Sequence, residues 1–201
     1  MTGKILLSTA YLPPVEYIAL IKNYEELFIE REENYLKQSY RNRCYILSAG
    51  GPQVLTVPVY TGSFHKTPVK DIRIDYSKRW QQIHSGALKS SYNSSPYFQF
   101  YFDTIERIIQ SNYKFLLDLN TDLLEAILRM LKIERKISYT IDFEPIADKN
   151  GDSRYSISPK RISIYNAKKY LQVFRPAKGF VPGLSIADLI FNMGPEALSY
   201  L

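Results

Sequence analysis

The sequence predicts an α+β fold in one domain, residues 1–201. A mostly antiparallel sheet, drawn from the N-terminal third and from strands near the C-terminus, packs with a helical layer from residues 78–132. Three observations predict this class. Two β-rich runs, Cys44–Ser48 and Gln53–Tyr60, flank Ala49-Gly50-Gly51-Pro52, a hairpin signal. Three successive segments after residue 78 carry apolar residues at spacings of three and four, the period of a helix with one buried face. Short strand-like runs, Arg161–Tyr165 and Tyr170–Phe174, return near the C-terminus.

Taken in order, Lys4–Ser8 reads as a buried strand stopped by Pro13-Pro14, whose fixed φ forces an extended path. Val15–Asn23 reads as a helix and Leu27–Glu30 as a second strand. Glu32 and Glu33 read as solvated charges in preference to ligands in a cleft. Pro58 marks an edge or the end of pairing, because it cannot donate to a ladder. Gly62–Pro68 is a loop carrying His65, and Val69–Asp75 alternates as a strand. A helix from about Lys78, with Ser77 as N-cap, places Trp80, Ile83, His84, Ala87, Leu88 and Ser91 on one face. Ser95-Pro96 is an N-cap and first-turn pair for the next helix, with Phe98, Tyr101, Phe102, Ile105, Ile108 and Ile109 as its core stripe. Asn120 or Thr121 caps a third helix, with Leu123, Leu124, Ile127, Leu128 and Leu131 facing inward. Lys136–Thr140 is strand-like. Ser185 caps a final helix that Gly194-Pro195 ends.

Composition narrows the function classes. The net charge is +6, but the basic residues are scattered, as on a solvated surface, and form no nucleic-acid stripe. The charge is compatible with an anionic small molecule such as a nucleotide-linked sugar. A single cysteine, Cys44, excludes an intramolecular disulfide and fits a reducing compartment. No apolar run approaches the length of a membrane span, and the N-terminal apolar run is too short for a signal peptide, so the expected location is cytoplasmic. No phosphate-binding glycine loop, nucleophile elbow or zinc-protease motif occurs, and no cofactor follows from the sequence. Asp148–Asp152 fails as a calcium loop, since glycine falls at the fourth place and Pro159 at the twelfth.

The residues with the most chemical promise lie between Arg79 and Phe98. Trp80 and His84 sit one turn apart on a helix face. Two readings stay open for His84: a half-buried packing residue, or a general acid/base in a pocket walled by Trp80, as its ordinary pKa near neutrality allows. No second His or Cys stands at ligand spacing, so no metal site is expected.

Tyr11-Leu12-Pro13-Pro14, Tyr40-Arg41-Asn42-Arg43, Leu55–Val59, Trp80 with His84, Tyr92 through Pro96-Tyr97-Phe98, Asp118-Leu119-Asn120 and Leu184–Gly194 recur in an order and spacing that resembles the WbqC-like family over nearly the whole chain. The resemblance implies an association with gene clusters for O-antigen and other surface polysaccharides, and no assigned reaction. It maps a polar signature onto Asn42, Arg43, His84, Tyr92, Ser185, Asp188 and Asn192. From it follows the expectation of an enzyme of surface-polysaccharide precursor synthesis, transferring a group onto a nucleotide-linked sugar. In that expectation His84 is the acid/base, Arg43 holds an anionic group, and Asn42, Trp80, Tyr92, Tyr97, Ser185, Asp188 and Asn192 bind substrate. The alternative is a non-enzymatic binding or scaffold subunit of the same pathway.

Overall fold

The computed structural model describes residues 3–60, 66–145, 151–161, 163, 165–174 and 179–201. Strand β1 (Lys4–Ser8), helix α1 (Val15–Lys22) and strand β2 (Glu26–Glu30) form a βαβ unit, and β5 (Ile137–Tyr139) joins it to give a three-stranded sheet in the order β1-β2-β5. Both pairings are parallel, with Leu6 opposite Phe28 and Phe28 opposite Ser138. The expectation of a mostly antiparallel sheet is therefore corrected. The strand-helix-strand order of residues 4–30 favours a parallel crossover, because a helix packed between neighbouring strands returns the chain to the same end of the sheet. Alternation sends Ile5, Leu7, Leu27 and Ile29 into the core, and Lys4, Leu6, Phe28 and Glu30 to the opposite, open face.

The expected hairpin forms separately: β3 (Arg43–Ser48) and β4 (Gly51–Thr56) pair antiparallel, and Gly51 takes φ +105° at the turn. Pairing ends before Pro58. Val69–Asp71 is a 3-10 turn where the alternation predicted a strand, and only isolated bridges, Val59 with Ile74 and Arg73 with Phe115, continue the region. Among the described residues of 161–165 and 170–174 no strand forms. His65, residues 146–150, Ile162 and Ile164 lie outside the described residues.

Helices α2 (Trp80–Tyr92), α3 (Phe98–Gln110) and α4 (Leu116–Met130) form the expected helical layer, with shifted starts. The Ser77 amide is held by the Asp75 carboxylate at 2.8 Å in a turn, so α2 begins later, and Ile83 is 60 % exposed. Pro96 and Tyr97 stay in a turn because the Tyr97 amide donates to the Phe191 carbonyl (3.0 Å). Helix α4 starts ahead of Asn120 because Leu116 N–H docks on Ile72 O (2.9 Å), which fixes the chain before the helix. Asn120 is consequently mid-helix and buried. The inward leucines of α4, with Phe98, Phe102 and Ile105 of α3, fill the core as expected. In α5 (Ile186–Met193) the Ser185 hydroxyl accepts from Ala187 N–H at 3.2 Å, the cap the sequence predicts.

Candidate ligand cleft and buried ion network

Burial decides where the sequence-derived candidates fall. His84 is 2 % exposed, with its Nδ1 2.8 Å from the Tyr11 hydroxyl, Trp80 edge-on at 5.1 Å between ring centroids, and a hydrogen bond to the Thr56 backbone. Burial lowers its pKa to about 4, and the Thr56 bond opposes this only in part, so the ring is neutral at pH 7. Tyr92, Ser185, Asp188 and Asn192 converge around α5. The Tyr92 hydroxyl accepts from Leu47 N–H (2.9 Å), Asn192 donates to Asp188 O (2.7 Å), and Asp188 Oδ2 accepts from Tyr170 (2.6 Å) and Gln172 (3.1 Å). Asp188 is fully buried, which raises its pKa. Asn42 donates to Val57 O at 2.8 Å, and Arg43 Nε is buried with no partner. Tyr97 is partly buried against Gly194. The structure thus brings Trp80 and His84 together, and Tyr92, Ser185, Asp188 and Asn192 together, without joining Asn42, Arg43 or Tyr97 to either group by a hydrogen bond. None of these side chains lines the clefts described below.

A different set of polar residues gathers at the carboxyl ends of β1 and β2. Glu33 receives Arg41 through two bonds, Nε at 2.9 Å and Nη2 at 2.6 Å, the paired geometry a guanidinium makes best. Arg41 also donates to Ser8 Oγ (2.8 Å), whose hydroxyl donates to Arg154 O (2.8 Å). Arg154 in turn donates to Glu30 Oε2 (2.8 Å) and to Asp152 (2.6 Å). Glu30 Oε1 accepts from Thr140 (2.6 Å) and the Glu32 amide (2.9 Å), and Tyr155 lies over both guanidiniums. Glu30, Glu33, Arg41 and Arg154 are each at most 4 % exposed. Charges this deep survive only because every one is paired and hydrogen-bonded.

The segment from Gly151 carries Arg154 there. Leu6 N–H donates to Gly151 O (2.8 Å) and Ser153 N–H to Leu6 O (2.9 Å), so this segment adds to the free edge of β1. Between it, the open sheet face and residues 139–145 lies a cleft of about 380 Å³. Phe28 and Leu6 contribute from the sheet and Ile141 and Pro145 from the wall. Lys4, Asp142 and Glu144 add charge, and Glu30, Asp152 and Arg154 join the cleft to the ion network. In parallel sheets, ligands characteristically bind outside the carboxyl ends of the strands.

A sequence model of the WbqC-like protein family matches residues 9–161. The chain belongs to the WbqC-like protein family. A protein of Mycobacterium tuberculosis, the uncharacterized protein Rv1507c, is 29 % identical over 98 % of this chain and 96 % of its own length. No solved structure matches.

The family match spans Glu30, Glu33, Arg41 and Arg154, the ion network of this WbqC-like protein, and stops before α5. Sequence reasoning missed this network. Glu33 reads as solvated because its neighbours are charged, and its partner stands eight residues away in a polar loop. Arg41 lies inside Tyr40-Arg41-Asn42-Arg43, where the signature points to the next two residues. Arg154 follows a turn and carries no local sign that it is buried. Among the described residues no group of three or more His, Cys, Asp or Glu side chains is arranged to hold a metal ion, and no helix is long and apolar enough to cross a membrane.

Proposed function

We propose that this WbqC-like protein binds the sugar part of a surface-polysaccharide precursor in the cleft between the open sheet face and Gly151–Arg154. The observation that carries the reading is the fixed Glu30–Arg154–Asp152 cluster at the edge of a cleft that also holds Phe28. An apolar ring beside held carboxylates suits a pyranose, whose C–H face packs on an aromatic and whose hydroxyls donate to carboxylates. The lining carries four acids (Glu30, Asp142, Glu144, Asp152) against two bases (Lys4, Arg154), and Arg154 is already engaged. This balance favours a neutral or amino-bearing sugar over the anionic part of a nucleotide-linked one.

The resemblance points to group transfer onto a nucleotide-linked sugar, with His84 as acid/base. Binding without chemistry is the better supported version, because the His84 ring is enclosed and lies outside the cleft lining. In this reading Trp80 and His84 brace the core, Asn42 and Ser185 pin turns, and Tyr92, Asp188 and Asn192 hold α5. The test is calorimetric titration with N-acetylglucosamine, glucosamine and UDP-N-acetylglucosamine. The expected result is binding of at least one, weakened about tenfold by Phe28→Leu or Asp142→Asn, with the melting temperature preserved. Binding unaffected by both substitutions would remove the sugar from this cleft. Turnover of the nucleotide sugar, abolished by His84→Gln in a protein that still melts cooperatively, would restore the group-transfer reading.

A further inference from the structure

A second cleft of about 380 Å³ lies against the start of α1 and the outer side of β3, and the sugar reading makes no use of it. Three tyrosines line it: Tyr40, Tyr45 and Tyr165. Pro52, Pro159 and Pro182 contribute apolar wall. Tyr40 and Tyr45 stand nearly perpendicular, at 78° with centroids 6.2 Å apart. Such a pair forms a corner with one ring's electron-rich face beside the other ring's electropositive edge. Both walls are firmly held: Tyr45 O accepts from Ser185 N–H at 2.7 Å and Tyr40 O from Tyr11 N–H at 2.9 Å.

The three phenols are partly buried; no hydrogen bond to another described residue holds their hydroxyls, and none is an enclosed atom without a partner, so each keeps contact with solvent. A ligand edge that displaces this water takes over its hydrogen bonds. Three such hydroxyls on one cleft lining give it donors and acceptors beside its aromatic surface. The charges at the cleft balance: Glu16 is engaged by the Ser163 hydroxyl, and Arg161 supplies one cation. The lining therefore offers stacking surface and hydroxyl hydrogen bonds, without the set of carboxylates found at the first cleft.

We propose that the Tyr40–Tyr45–Tyr165 cleft is a second ligand site, for a flat heteroaromatic ring with polar edge atoms. The ring stacks in the tyrosine corner while its edge nitrogens and oxygens pair with the phenol hydroxyls. A cavity of this size suits one such ring system with a small substituent. The site stands or falls independently of the sugar reading.

Adenosine and uridine are the probes, titrated into the full chain and followed by calorimetry and by ligand-observed NMR. The expected result is that at least one binds with a Kd at or below about 1 mM, and that Tyr45→Ala and Tyr165→Ala each weaken it about tenfold. Tyr165 lies outside every helix and strand, so Tyr165→Ala tests the site even where Tyr45→Ala disturbs β3. Failure of both probes to bind, or binding that survives Tyr165→Ala in folded protein, would overturn the assignment.

Discussion

Arg154 and Glu30 meet at 2.8 Å across 124 residues of chain, both side chains at most 2 % exposed. This pair ties the segment after residue 150 to the carboxyl end of β2, and so builds one side of the sugar cleft from two distant parts of the sequence.

Arg154→Ala strips Glu30 and Asp152 of their cation while leaving both carboxylates in place. Removing one partner of a buried pair costs about 3–5 kcal/mol. Urea denaturation should show a loss of that size. Arg154→Met combined with Glu30→Gln should lose less than the sum of the two single substitutions, since each single breaks the Glu30–Arg154 pair while leaving one charged member behind, and the loss of the Asp152 cation is common to Arg154→Met and to the double. Additive losses would mean that the two residues do not depend on each other.

His84 links stability to pH. Its folded pKa of about 4 lies below the unfolded value of about 6.5, so the native state binds fewer protons over that interval. The stability is fully present above pH 6.5 and is lost as pH falls toward 4. The shift corresponds to about 3 kcal/mol. In native protein the imidazole Cε1 proton should titrate with a midpoint near pH 4, and the acid slope of stability should shrink in His84→Gln. A midpoint near 6.5 would place the ring in solvent.

Tyr97 belongs to the sequence-derived binding set, and its ring fills the space beside Gly194, which adopts φ +52°. A Cβ at 194 would collide with that ring and also force a left-handed conformation on an L-residue. Gly194→Ala should cost about 2 kcal/mol or more in a denaturation experiment. Adding Tyr97→Ala should recover the steric part. No loss on Gly194→Ala would show that the Tyr97 ring is free to move.

Ser185→Ala removes the hydroxyl that accepts from Ala187 N–H at the start of α5. The loss should be about 1 kcal/mol, read by urea denaturation. If Ser185 instead contacts ligand, Ser185→Ala would change affinity at unchanged stability.

Local signals made much of the fold legible. Ala49-Gly50-Gly51-Pro52 marked the hairpin, the spacing of Leu123 to Leu131 marked α4, and Ser185 with Gly194 marked both ends of α5. Strand pairing was less legible, because Leu27 pairs with Ile5 and with Ile137, over 100 residues apart in sequence, and β-propensity carries no information about the partner. Local patterning also misjudged charge. Glu33 and Arg154 look solvated among polar neighbours, and only the folded chain supplies the guanidinium and carboxylates that bury them. Conversely, His84 and Asp188 look chemical in sequence because they are rare or polar within apolar stripes, which is also how a hydrogen-bonded core residue looks.

The most direct test of the sugar site is amide chemical-shift mapping of the ¹⁵N-labelled protein as N-acetylglucosamine or glucosamine is added. The account predicts shifts that saturate and cluster at Leu6, Phe28, Asp142 and Arg154, with the amides around Trp80 and His84 unmoved. Shifts centred on Trp80 and His84, or none with either sugar, would contradict it.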